Sequence, residues 1–393
     1  MGKLEKKIFA TLLGDVVHNP AARIKYGFLF DALTKKYLVV DKFDANLKGF
    51  PRYFNALRVF DSDRDRWRQH FYKNVPAFYA RSANVVNRIN TIIQRIDVIL
   101  QLGVLFDASW NQSNIPNIIY TDYTALLSAR KPESGRSPFG SIEKGKWIEL
   151  ERAAFHGAAH ICTRSRYVAR SISTDYEISE DKISVIGAGV NLPMLPEIML
   201  RLDTQMPTVL FIGKEFIRKG GDILLYAFAE ARKQVPNCRL LLVTAEPIPS
   251  HLPKEHVVVL PATWDRKSIM DLYRRADIFV LPSRLETWGD VLLEAMAFNL
   301  PCVGVAGEAM EELIEDGRTG LVVPPGDVDA LTDALTELLW NANFRRSLGR
   351  AGRHKIEEKY TWDHVVERLE SVIDSVSETR FTAKPQSSSA YRR

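Results

Sequence analysis

The chain has 393 residues, 46% of them hydrophobic and 26% charged, with 22 Gly and 19 Pro. This ordinary globular balance excludes collagen-like, low-complexity and disordered classes, and at roughly 150 residues per core it predicts two domains. The net charge of +5 is uneven, because residues 1–200 carry 28 Lys and Arg against 20 Asp and Glu while the remainder carries 25 against 28. The basic surface therefore belongs to the first half. No run reaches the roughly 18 apolar residues of a membrane span. Three distant cysteines, Cys162, Cys238 and Cys302, offer neither a disulfide framework nor a metal-ligand pair. A cytoplasmic protein is expected.

In chain order, the apolar run 8–13 is cut short by Gly14 and Asp15 and reads as a first buried strand rather than a signal peptide. Asp61, Asp63 and Asp65 begin like a calcium loop, yet Arg66 and Tyr72 stand where such a loop needs Gly and Glu. No histidine pair has zinc spacing, and neither a metal nor a cofactor is expected. Residues 64–95 hold Arg64, Arg66, Arg68, Lys73, Arg81, Arg88 and Arg95 against one acid, Asp65, with aromatic residues interleaved. That pattern suits anionic lipid head groups at a membrane's inner face, or else a solvated helix face above a buried stripe of Val85, Ile89, Ile92 and Ile96. A nucleic-acid partner is not expected. Strands at 98–102, 117–120, 160–162 and 182–186 complete a first α/β domain over residues 1–195, and the Pro-containing segment 191–207 reads as a hinge.

The second half alternates β-branched runs with helical spacing. Strands are predicted at 208–213, 239–245, 256–260, 277–283, 301–306 and 320–323, and helices at 222–234, 267–275, 289–298, 309–315 and 328–339. Such alternation requires a parallel sheet with helices on both faces, so residues 205–361 form a Rossmann-like domain. A last helix, 362–376, begins after Thr361 and aligns Val365, Val366, Leu369, Val372, Ile373 and Val376 on one face. It is expected to pack back on the first domain, and the polar remainder, 377–393, to be disordered.

Ligands of open parallel sheets sit beyond the carboxyl ends of the strands, which singles out two loops. The first contains Lys214, Arg218, Lys219, Gly220 and Gly221 before a helix start. Cations, helix N–H groups and glycines that let backbone approach suit a diphosphate, although a solvated basic turn has the same composition. The second runs from Glu286 through Thr287, Trp288 and Gly289 into a helix containing Glu294. Apolar neighbours argue against a wholly solvated Glu294, so it is placed to accept hydrogen bonds from a ribose diol, with Glu286 near sugar hydroxyls and the N–H groups of Trp288 and Gly289 beside them.

The run Glu286-Thr287-Trp288-Gly289-Asp290-Val291-Leu292-Leu293-Glu294 resembles the E-x7-E signature of retaining glycosyltransferases of family 4, which have the two-domain GT-B fold. The 211–221, 276–283 and 316–327 stretches resemble the same family, and the likeness spans about residues 160–375. It implies two Rossmann-like domains facing a central cleft and a UDP- or GDP-linked sugar donor. Lys219 and Lys214 would bind the diphosphate, with Arg218 compensating for Lys at a position that is commonly Arg. Glu294 would hold the ribose and Glu286 the transferred sugar. Asp122 stands where the family often has a His, and either holds a hydroxyl or serves as a structural cap. Gly14 would bring its loop against the donor phosphates. The implied reaction is metal-independent transfer with retention to a hydroxyl of a lipid, glycan or small molecule. Competing readings are another GT-B enzyme, such as a nucleotide-sugar epimerase, and an inactive sugar-nucleotide binding protein.

Overall fold

The computed structural model describes residues 6–112, 114–131, 141–197 and 206–382. Two six-stranded sheets, parallel throughout, organise them. The first contains β1 (Lys7–Leu12), β2 (Leu38–Asp44), β3 (Val98–Leu102), β4 (Asn117–Thr121), β5 (His160–Thr163) and β6 (Ile183–Val185), in the order β2-β1-β3-β4-β5-β6. The second contains β7 (Thr208–Ile212), β8 (Arg239–Thr244), β9 (Val257–Pro261), β10 (Ile278–Val280), β11 (Cys302–Val305) and β12 (Gly320–Val323), in the order β12-β11-β10-β7-β8-β9. The α/β fold with two facing sheets is the expected one.

Strand order decides where a ligand can enter. The order reverses between β1 and β3 in the first sheet and between β7 and β10 in the second. At such a switch point the crossover helices leave in opposite directions and open a crevice past the strand ends. Gly14 follows β1, Lys214 to Gly220 follow β7, and Glu286 follows β10. β1, β3 and β4 are almost wholly buried, as are β7, β8 and β10, which accounts for their continuous apolar runs.

Among the elements without a predicted counterpart, two show why. β2 lies at a sheet edge, where Asp41, Lys42 and Asp44 interrupt its apolar residues. The helix Ala342–Lys359 is rich in Arg and Lys, and beside Leu348, Gly349, Gly352 and Ile356 it buries Arg345, Arg353 and Lys355. Their cationic ends donate to main-chain carbonyls, Arg345 to Leu338 at 2.7 Å and Lys355 to Leu313 at 2.8 Å. The buried charge is thereby satisfied beside a narrow stripe of Leu348 and Ile356.

The last helix, Trp362–Thr382, packs against the helix Phe28–Leu33 and against β3 and β5 of the first domain. Val365, Val366, Leu369 and Ile373 are buried, and Lys35 and Lys36 pair with Asp363 and Glu370 at 2.8 and 2.9 Å. It runs beyond the expected end, so 377–382 is helical rather than disordered, while 383–393 lie outside the described residues. Continued packing is the reason: Val376 and Ser377 are still buried. Trp362 is buried at the crossing and its Nε1 donates to Asn191 Oδ1 at 3.2 Å. Trp362→Ala should therefore cost about 3–5 kcal/mol in urea unfolding; a loss under about 1 kcal/mol would show that the crossing is not anchored there.

Candidate active site

At the end of β7, Gly220 has φ +75° and lies so close to Pro282 that a Cβ would come within 1.9 Å of the Pro282 carbonyl oxygen. Only glycine permits this approach. It seats the loop after β7 directly on the loop after β10. Arg218 secures the contact: it is 6% exposed, its Nε donates to Glu215 at 2.9 Å and its Nη1 to the Leu285 carbonyl at 3.0 Å, while its own carbonyl accepts the Arg284 N–H at 2.9 Å. Lys219, the next residue, reaches into the crevice and ion-pairs with the Glu286 carboxylate.

Glu286 is held in turn from behind. Its N–H donates to the buried carboxylate of Glu308, which also pairs with Lys131 of the first domain. Burial pushes the Glu308 pKa up, against the opposing pull of Lys131 and the Glu286 N–H. Lys131 also donates to the Arg284 carbonyl at 3.1 Å, so the pair bridges the domains.

The helix Asp290–Ala297 begins at Gly289, whose φ is +104°. Among the described residues the N–H groups of Trp288 and Gly289 have no hydrogen-bond acceptor, so the positive end of the helix is open to an anion. Glu294, one turn in, is 3% exposed. Its carboxylate meets Arg266 at 3.0 Å and the Tyr273 hydroxyl at 3.1 Å, and Arg266 also donates to the Asn191 carbonyl in the connecting segment. Burial raises the Glu294 pKa, with Arg266 opposing.

The first domain faces these loops with a chain of alternating charge. Asp122, after β4, lies 3.2 Å from Lys25 and 3.9 Å from Arg164; Arg164, after β5 and almost fully buried, reaches Asp290 of the second domain at 3.1 Å. Burial is the largest single influence on the Lys25 ammonium and disfavours it, but Asp122, Tyr26 and Asp290 together outweigh burial and raise the pKa. Beside Arg164, Ser165 caps the helix Arg166–Tyr176 and donates to the Thr287 carbonyl at 3.0 Å. Glu312 of the second domain accepts the first two N–H groups of that helix, at 2.8 and 2.9 Å. A carboxylate at a helix N-terminus is favoured by the dipole, here from across the domain boundary.

Residues 199–355 match the family model described as glycosyl transferases group 1. A GDP-mannose-dependent alpha-(1-6)-phosphatidylinositol monomannoside mannosyltransferase of Mycolicibacterium smegmatis is 32% identical over 192 residues, covering 44% of this chain and 49% of the relative. The similarity supports a group 1 glycosyltransferase. The chain thus spans about half the length of that relative. Among solved structures, sucrose-phosphate synthase from Thermosynechococcus elongatus superposes with a TM-score of 0.73 at 19% identity, covering 95% of this chain and all of that one. Anabaena HepE, solved with UDP and glucose, gives a TM-score of 0.64 at 15% identity, covering 94% and 100%. These two show the fold, GT-B.

Several sequence-derived residues converge, and others are placed differently. Lys219 and Glu286 meet directly, and Glu294 lies on the helix that Gly289 starts. Lys214 is exposed, with its ammonium 2.9 Å from the centre of the Trp264 ring; burial lowers its pKa and the nearby Arg68 lowers it further. Arg218 is a loop clamp rather than an open phosphate ligand, because its nitrogens already serve Glu215 and Leu285. Trp288 presents its backbone, since its ring is buried against Tyr360. Gly14, at φ +122°, donates to Asp44 at 2.9 Å, and a Cβ there would lie 2.8 Å from that of Ala22. Sequence reading missed Lys25, Arg164, Arg266 and Glu308, which no local motif marks; position just after a strand was the only signal for Arg164. Gly220→Ala should destabilise the protein by more than about 2 kcal/mol and loosen the two loops together. Chemical denaturation measures the first and protease sensitivity of 214–220 the second; an unchanged profile in both contradicts the close approach.

Proposed function

We propose that the protein is a retaining, metal-independent glycosyltransferase of family 4, of the hexosyltransferase type, acting from the cytoplasmic side. The carrying observation is the Lys219–Glu286 pair at the switch point, beside a helix start with open N–H groups. The GDP-mannose dependence of the Mycolicibacterium relative and the UDP and glucose bound by HepE support a nucleotide-sugar donor. In this reading Lys219, Lys214, the Gly220 backbone and the N–H groups of Trp288 and Gly289 receive the diphosphate. Arg218 and Thr287 hold the loops in place. Glu294 accepts from the ribose hydroxyls, Glu286 accepts from the transferred sugar, Asp122 receives a hydroxyl of sugar or acceptor, and the Gly14 loop closes on the phosphates.

The bond from the anomeric carbon to the phosphate oxygen breaks, and its electron pair stays on the diphosphate. Lys219 and the helix start stabilise that growing charge, where rate is gained. The acceptor hydroxyl attacks from the same face, and its proton passes to the departing phosphate oxygen. Retention then needs no carboxylate nucleophile. Arrival of the diphosphate gives Lys219 a second anionic partner, freeing Glu286 to turn to the sugar.

Lys219→Ala and Glu294→Ala should each lower transfer by about a hundredfold or more while the circular dichroism spectrum stays that of the parent. Near-normal turnover in both variants would refute the assignment. Because burial raises the Glu294 pKa, its carboxylate is lost at a higher pH than an ordinary glutamate's. Donor affinity should fall on acidification through that raised value, and Glu294→Gln should abolish the step in calorimetric titrations. Stability moves the opposite way: the folded state holds this proton more tightly than the unfolded one, so its contribution declines as pH rises above the ordinary glutamate range. A pH-independent affinity across that window counts against Glu294 as the ribose acceptor.

A further inference from the structure

The helix Gly49–Arg58 is inside out. Phe50, Tyr53, Phe54 and Leu57 recur at the spacing that normally faces a core, yet they are 58–79% exposed, and Phe60 just beyond is 69% exposed. Asn55 is the residue the helix buries, donating to the Phe71 carbonyl at 3.0 Å. The orientation is pinned by Trp67, whose Nε1 donates to the Ala56 carbonyl at 2.9 Å and whose ring meets Phe60 edge-on at 5.8 Å. A contiguous exposed aromatic face of this kind marks an interaction surface.

Its surroundings define the partner. Arg58 and Phe60, from the end of this helix, line a cavity of about 450 Å³ together with His70, Lys73 and Lys146, and with Asp61 and Glu143 as its carboxylates. Asp61 is engaged by Arg66 at 3.3 Å, which leaves the wall predominantly cationic. The positive end of the helix Val75–Thr91 opens on the same cavity through Asn74, Val75 and Pro76. Arg52 lies on the same helix, and Lys48 just before it pairs with Asp44 at 3.8 Å. Cations beside outward aromatic and aliphatic side chains match the cross-section of an anionic lipid interface: phosphate outside, acyl chains beneath.

This narrows the basic surface expected over 64–95, from which Lys73 lines the cavity. Within residues 64–95, Arg81 is fully buried and donates to the Tyr72 and Phe71 carbonyls, Arg88 pairs with Asp41 at 2.7 Å and Arg95 with Asp97 at 2.8 Å. Those cations serve the fold, and Val85 and Ile89 beneath them are buried.

We propose that the first domain carries a binding site for anionic phospholipid, with the face of Phe50, Tyr53, Phe54 and Leu57 entering the lipid interface and the Arg58–Lys73–Lys146 cavity receiving a lipid phosphate. The site lies outside the donor loops and does not depend on the transferase reading. The test is co-sedimentation of the full chain with phosphatidylglycerol or phosphatidylcholine vesicles at low and high salt. The parent should bind the former, bind the latter far more weakly, and release in salt. Phe50→Ser/Phe54→Ser/Leu57→Ser and Arg58→Glu/Lys146→Glu should each weaken binding by about tenfold or more, with the circular dichroism spectrum and thermal unfolding unchanged as the folding control. The proposal is overturned if the parent ignores phosphatidylglycerol at low salt, or if the serine variant binds as the parent does. Release of the parent from vesicles by millimolar inorganic phosphate alone would make the cavity a free-phosphate site and overturn the lipid assignment.

Discussion

The candidate site rests on charge compensation inside a partly buried crevice. An uncompensated buried charge costs several kcal/mol. Lys219 meets Glu286, Arg266 meets Glu294, and Lys25 and Arg164 meet Asp122 and Asp290. Each carboxylate that stabilises a waiting cation is also chemically suited to a sugar or ribose hydroxyl. Under the proposed function, the same pairs change partner when a donor enters.

Compensation also explains the joint between the domains. The contacts across it are polar: Lys131 to Glu308, Arg164 to Asp290, Ser165 to Thr287, and the start of the helix Arg166–Tyr176 to Glu312. Polar interfaces within a chain are the ones that shear and reopen. The connection is tied elsewhere by apolar packing, where the last helix buries Val365, Leu369 and Ile373 against the first domain. A firm crossover and a polar cleft face suit a site that must admit a ligand between two bodies.

Much of the fold was legible because buried parallel strands carry continuous apolar runs. All six strands of the second sheet were readable, and so were β1 and β3 to β6 of the first. β2 was not, because an edge strand tolerates Asp41, Lys42 and Asp44. The helix Ala342–Lys359 was hidden because buried Arg345, Arg353 and Lys355 interrupt its apolar positions, Leu348 and Ile356, and Arg345 and Lys355 satisfy themselves on main-chain carbonyls. The helix Gly49–Arg58 shows the converse, a clean apolar period that faces solvent.

By itself the sequence determined which segments could be buried strands, and hence that short loops after β7 and β10 would carry the cations, glycines and glutamates; these depend on local spacing and backbone freedom, which are written in neighbouring residues. Only the tertiary structure decided what each charge does. Lys219 and Arg218 are adjacent and alike in sequence, yet one enters the crevice and the other is clamped beneath it, because Gly220 turns the chain onto Pro282 between two loops distant in sequence. Arg164, Lys25 and Glu308 acquire meaning only from strand order and domain docking, since an ion pair is set by distance in space and leaves no period along the chain.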